Sequence, residues 1–223
     1  MKISVFFFSI FIVLYSCTDL EIEETDSILA DNFSGLSGDE ASSSLTNMYN
    51  SLNGFIGTQE SLYSLSEVTS DALLIPTRGS DWGDNGLWRQ LHQHSWNADH
   101  RFITNVWNNW NQLQLNASEI IDDRTSTSTQ IVAEAHFLRA LAFYVILDNY
   151  GQVPFRDTTV EPSVDPEVFT GIDAVNFIKQ DLEFAIANLD DAPVGGDNIK
   201  ASKTAARLLL AKLMLNKHVY TDS

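Results

Sequence analysis

From Ile103 the apolar positions recur every three or four residues, at Ile103, Val106, Trp107, Trp110, Leu113, Ala117, Ile120 and Ile121. That is one face of a helix, and the spacing predicts a helix over 100–122. After a polar TSTST stretch, residues 131–149 carry two apolar stripes, Ile131/Ala135/Leu138/Ala142/Val145 and Phe137/Leu141/Tyr144. A helix apolar on two sides must be covered on two sides. Gly151 and Pro154 then supply a stop. Thr170 followed by Asp173 reads as a capping-box-like start to a third helix, with apolar positions Val175, Ile178, Leu182, Ala185, Ile186 and Leu189. Pro193, Gly195 and Gly196 mark its end. A last helix begins near Ser202, and between 205 and 215 only Arg207 and Lys212 are not apolar. Such a helix needs neighbours nearly all round. No sequence follows Ser223 to supply them, so the expectation is the N-terminal part of a longer protein, or a terminal helix that docks on a partner.

The N-terminus follows a different rule. ISVFFFSIFIVLY, residues 3–15, is a continuous apolar run behind Lys2, the layout of a secretory signal. It is too short for a spanning helix, which needs about 20 apolar residues. Cys17 is the only cysteine, which excludes a disulfide within the chain and any CxxC motif. LYSC, residues 14–17, resembles a bacterial lipoprotein lipobox: Leu14, Ser16 and Cys17 match, while Tyr15 is bulkier than that motif usually carries. The resemblance implies a signal peptide over 1–16 and lipidation of Cys17; the alternative is a secretory signal with an incidental cysteine. Residues 17–40, rich in Asp, Glu, Ser, Thr and Gly, read as a surface tether, and 41–223 as the folded body. Asp19, Glu21, Glu23 and Glu24 are similar to the acidic export signal of surface lipoproteins in the Bacteroidetes.

Charge narrows the partners. A formal charge of −17 makes nucleic acid and anionic lipid poor partners, since phosphates would be repelled. Losing residues 1–16 removes only Lys2 and deepens the imbalance. Catalytic signatures are lacking: there is no HExxH, no GxSxG elbow and no P-loop. His92 and His94 form an H-x-H pair near His100, but no Cys or HExxH spacing supports a metal. Neither a cofactor nor an enzymatic activity is expected.

Helix, turn, helix, loop, helix, turn, helix suggests an all-α fold of stacked, tetratricopeptide-like hairpins, with Ala133 and Phe137 matching the A-x3-F element of that repeat. At AEAHFLRALAFYVILDNYGQVPF, 133–155, the chain resembles the SusD/RagB family of nutrient-binding outer-membrane lipoproteins, in which a helix carrying FLRA ends in a Y/F-G-x-V-P turn. FIKQDLEFAIANL (177–189), ASKTAARLLLAKLMLN (201–216) and RGSDWGDNGLWRQLHQHSW (78–96) agree with it. The resemblance covers the N-terminal portion of a longer family. It implies a surface lipoprotein that captures oligosaccharide, or in some members peptide, and delivers it to a TonB-dependent (SusC-like) outer-membrane transporter. A helical-repeat scaffold for peptide or protein partners is the alternative.

All five tryptophans fall between 82 and 110. Trp107 and Trp110 lie on the apolar stripe and read as core. Trp82 stands in a loop with Gly79, Asp81, Gly83, Asp84, Asn85 and Gly86, where full burial is difficult. A sugar needs an aromatic plate with carboxylate, amide or guanidinium partners. Asp71, Arg78, Asp81, Asp84 and Asn85 supply these beside Trp82 and Trp88, although either tryptophan could instead plug the loop onto the helices. The family resemblance carries ligand contact most directly onto Asp71, Arg78 and Trp82. Trp96 reads as a boundary residue packing the helix entry.

Overall fold

The computed structural model describes residues 33–161, 163–191 and 199–221. Cys17, the tether up to residue 32 and the Pro193/Gly195/Gly196 stop lie outside them.

The body begins earlier than composition suggested. Helix α1 (Gly38–Gly57) starts inside the segment read as tether, with Ser37 as its N-cap. The Ser37 amide donates to Glu40 Oε2 at 2.8 Å and the Glu40 amide to Ser37 Oγ at 3.4 Å. This reciprocal capping box satisfies amides that the first turn leaves unpaired. Ahead of it, the Leu36 amide donates to Thr125 Oγ1 and the Ser126 amide to the Leu36 carbonyl. Composition sees Ser, Gly, Asp and Glu as tether residues, yet the same types cap helices.

Two short helices follow, α2 (Leu62–Thr69) and α3 (Leu87–His92). The long hairpin comes next: α4 (Arg101–Ile121) and α5 (Thr129–Tyr150), close to the spans the periodicity predicts. Tyr150, at the end of α5, donates its hydroxyl to the Ile103 carbonyl at the start of α4, so the two run antiparallel. Helix α5 is covered on two sides, by α4 and by α6 (Gly171–Asn188). Helix α7 (Lys203–Leu215) packs on α6, and a short α8 (Lys217–Thr221) closes back toward it. Ser202 caps α7 by accepting the Ala205 amide. The stacked helical arrangement expected from the sequence is present.

Two features differ in detail. A two-stranded antiparallel ribbon joins α5 to α6: β1 (Gln152–Phe155) pairs with β2 (Glu167–Thr170), Gln152 opposite Thr170 and Phe155 opposite Glu167. Gly151, at φ 72°, ends α5 as predicted and turns the chain into β1. Thr170 is the N-cap of α6 by position, but its hydroxyl makes no capping bond. It is the last residue of β2, and the ribbon sets its backbone.

The core holds an apolar seam and two buried polar knots. Phe143 of α5 stacks on Phe177 of α6 at 4.5 Å, with Phe155 and Phe169 of the ribbon against the same ring. Beside it, buried Asp181 of α6 receives Arg139 Nε and Nη2, each at 2.8 Å, and His136 Nδ1 lies 2.6 Å away. Arg139 also reaches Ser118 of α4. One ionic group thereby links three helices. In the second knot, Tyr49 of α1 donates to buried Glu134 of α5 at 2.9 Å and accepts the Ala201 amide ahead of α7.

Candidate functional site

The glycine-rich loop is built from tight turns. Arg78 and Asp81 exchange backbone hydrogen bonds of 3.0 and 2.9 Å across Gly79, which takes φ 63°. Trp82, Asp84 and Asn85 also have positive φ, a conformation that costs side-chain-bearing residues energy. Arg78, Asp81 and Asn85 are exposed, with no side-chain partner among the described residues. Asp71 is exposed beside His92, Oδ1 to Nδ1 at 3.1 Å.

The two loop tryptophans part company. Trp88 is only 4% exposed, lies 4.7 Å edge-on from Phe102, and donates its indole N–H to Asp84 Oδ2 at 2.7 Å. It packs in the core with Asp84 as its polar partner, which is the loop-plugging alternative of the two readings given for Trp88. A buried indole needs an acceptor for its N–H, and the carboxylate four residues earlier provides one. Trp82 remains 38% exposed, its ring 6.0 Å edge-on from Trp88. The loop therefore plugs in through Trp88 and presents Trp82.

A more enclosed site forms where the start of α4 meets the end of α5. Trp96, Asn97 and Ala98, with Ile103, Thr104 and Trp107 of α4 and Tyr150 of α5, line a pocket of ≈ 560 Å³. Trp107, expected in the core, is half-buried and forms the wall. Its ring stands on Tyr150 at 4.9 Å with an interplanar angle of 77°. The reason is its position on the helix: Val106 and Trp110 face inward, while Trp107 flanks that stripe and turns toward the 96–98 segment. Trp96 does sit at the helix entry, but 40% of it is exposed.

Polar groups around the pocket are mostly fixed in place. Tyr150 is committed to Ile103 at 2.7 Å, and burial pushes its hydroxyl well above the usual phenol range. Asn97 Oδ1 accepts the Asp99 amide at 3.1 Å. His94 lies 5.4 Å edge-on from Trp96, and its Nε2 is 2.8 Å from the Thr69 carbonyl. Asp71 and His92 stand on the same two chain segments, so the expected acidic residue and the missed Trp96 belong to neighbouring structure. The tryptophan clustering carried this signal; the helical stripe masked Trp107. Among the described residues no group of three or more His, Cys, Asp or Glu could hold a metal ion. The pocket offers aromatic faces and edges with neutral amide and hydroxyl groups, a surface suited to a flat, partly apolar, hydroxyl-bearing ligand.

A model of a SusD-like family described as "Starch-binding associating with outer membrane" matches residues 34–215. Curated protein sequences give no match. Among solved structures, a laminarin-binding SusD-like protein aligns with TM-score 0.64 and 21% identity, covering 82% of this chain and 41% of that one. Surface glycan-binding protein A from Bacteroides fluxus aligns with TM-score 0.61 and 22% identity, over 82% and 41% of the two chains. A SusD-like carbohydrate-binding protein from Bacteroides fragilis aligns with TM-score 0.59 and 17% identity, over 81% and 37%. The chain thus spans about two fifths of the length of these proteins.

Proposed function

This chain belongs to the SusD-like family, and from that premise we propose that it is a glycan-binding surface lipoprotein, not an enzyme, whose ligand lies against Trp96, Trp107 and Tyr150. The observation carrying the reading is the pocket itself. Two indoles and a phenol ring converge there at the junction of two rigid helices. Sugar rings carry a flat C–H face that stacks on such rings, and amide and hydroxyl groups at the rim meet their hydroxyls. Asp71, Arg78, Asp81, Trp82 and Asn85 lie on exposed loops and serve as outer contacts, with Trp82 a second aromatic plate. Starch and laminarin are the first glycans to test, since the family description and one structural neighbour name them.

Cys17 is the proposed lipid attachment point, which would hold the protein at the outer membrane. A TonB-dependent, SusC-like transporter would then receive the glycan. Cys17→Ala should leave the protein uncleaved or soluble; equal recovery in the membrane fraction with no acyl label on either form would end the anchor proposal.

The test of the binding reading is calorimetric titration of the whole protein with soluble starch, laminarin and a peptide pool. Binding of a glycan that Trp96→Ala weakens at least several-fold supports the pocket; peptide binding alone, unaffected by Trp96→Ala, would favour the scaffold alternative. That alternative has one observation behind it. An apolar groove of ≈ 560 Å³ lies between Phe137 and Leu141 of α5 and Leu208, Leu209 and Leu215 of α7.

A further inference from the structure

Helix α4 does not end its accessible surface at Trp107. The next turns carry amides on the same side: Asn108, Asn111 and Gln112, with Gln114 and Leu115 beyond. Together with Pro154 and Arg156 of the β1 segment they line a groove of ≈ 390 Å³. The two cavities have no lining residue in common, but both lie along α4 and the turn from α5 into β1. Trp107 and Asn111 are one helical turn apart, about 6 Å along the axis, and Asn111 Nδ2 donates to the Trp107 carbonyl at 2.9 Å. On the other side the chain passes from Tyr150, in the pocket wall, directly into β1, in the groove wall.

Gln114 is the informative residue. Its side chain is all but buried, and its Nε2 is fully used, at 2.6 Å from the Pro154 carbonyl and 3.2 Å from Asn111 Oδ1. Those two acceptors fix the amide orientation and leave Oε1 buried without a partner among the described residues. A buried carbonyl oxygen without a donor is costly, and a ligand hydroxyl is one group that could supply the donor. Around it, Asn108 and Gln112 are exposed amides, and Arg156 bonds the Val164 carbonyl through Nη1 while forming no ion pair among the described residues. The groove therefore offers neutral acceptors and donors, one guanidinium and little aromatic surface. It suits the hydroxyl edge of a ligand whose flat face is held elsewhere.

We propose that the groove over Asn108, Gln112, Gln114 and Arg156 is a second subsite that takes the continuation of a linear oligosaccharide leaving the Trp96/Trp107/Tyr150 pocket, with a ligand hydroxyl donating to Gln114 Oε1. This rests on the glycan reading of the pocket. It adds a length requirement: the pocket alone recognises a short sugar, and the groove rewards a longer one.

The experiment compares maltose with a long maltodextrin, and laminaribiose with a long laminarin oligosaccharide, on the full chain. The proteins are wild type, Trp96→Ala and Asn108→Ala/Gln112→Ala. The side-chain amide resonance of Gln114 is followed in parallel. The longer probe should bind wild type more tightly than the disaccharide. The double variant should lose about three- to tenfold of affinity for the longer probe only, the worth of one or two hydrogen bonds. The Gln114 resonance should move with the longer probe and not with the disaccharide. Disaccharide binding that Trp96→Ala weakens, together with a length advantage that the double variant keeps, overturns the groove alone. A Gln114 resonance that no sugar moves overturns it as well, leaving a buried water as the partner of Oε1. No binding of any probe overturns the pocket and the groove together.

Discussion

Trp110 and Trp96 sit fourteen positions apart in the chain, yet only one of them is held on all sides. Trp110 is fully buried against Phe55, so Trp110→Ala should open a cavity and cost about 3–5 kcal/mol in chemical denaturation. Trp96→Ala and Trp82→Ala, each removing a partly exposed ring, should each change stability by less than about 1 kcal/mol. An early-melting Trp96 variant would make that residue structural and remove the pocket's outer wall from the site. Asp181 presents a different contrast. Burial pushes its carboxyl up, but the Arg139 charge and hydrogen bonds from Arg139 and His136 outweigh this and hold it below the usual carboxylate range. Asp181→Ala would strand a buried guanidinium and cost about 3–5 kcal/mol. A depressed carboxyl contributes stability that is complete above its unfolded value, about 3.9, and is lost as pH falls through the folded value. The melting-temperature gap between wild type and Asp181→Ala should therefore stay constant near neutral pH and narrow below about pH 4. A gap independent of pH down to acid unfolding would show that the charge contributes nothing.

At the level of elements, the lead-in to α1 is the part that composition misread. Arg124 clasps it: Nη1 donates to the Phe33 carbonyl at 2.8 Å, the guanidinium lies 5.0 Å over the Phe33 ring, and Nη2 reaches Thr158. Asp122 locks the same guanidinium, and the hydrogen bonds from Arg124 hold its carboxyl well below the usual range. Gly35, at φ 88°, passes so close to the Arg124 backbone that a Cβ would collide with its carbonyl. Gly35→Ala should detach the lead-in, which hydrogen exchange would register as faster loss of protection at the Leu36 and Ser126 amides. Ser37→Ala, which removes only the cap, should cost about 1 kcal/mol and leave those amides protected. Unchanged exchange in the glycine variant would mean that the lead-in does not depend on this close approach. The ribbon between α5 and α6 was equally hidden. Its four-residue strands are too short for an alternating pattern to stand out, and Pro154 reads locally as a helix stop.

Across the whole molecule, the apolar excess of α7 emerges on one face. Ala206, Leu209 and Leu213 are buried against α6, while Leu208 is 72% and Leu215 78% exposed. An exposed patch of this kind promotes association. A protein limited to residues 17–223 should bind a dye for apolar surface or self-associate in sedimentation. Leu208→Glu/Leu215→Glu should suppress either without lowering the melting temperature. A monomeric, dye-silent wild-type form would show that the face is too small to matter.

Much of this was written in local pattern. Helix positions repeat every three to four residues, so α4, α5, α6 and α7 could be read from the chain within a few residues of their ends, and the FLRA and Y-G-x-V-P segments pointed to the family. Capping by Ser202 and the glycine stop at 151 are likewise local events. What the tertiary structure decided is which of the similar side chains face outward, because burial is set by partners distant in sequence. Trp107 became a pocket wall through Tyr150, and Gln114 acquired its unfilled oxygen because its amide was drawn to Pro154. Arg139 was drawn into a buried ionic knot by an aspartate on the next helix. A periodicity records that a residue lies on a stripe, and only the packing of the neighbouring helix shows whether that stripe ends in core or in solvent.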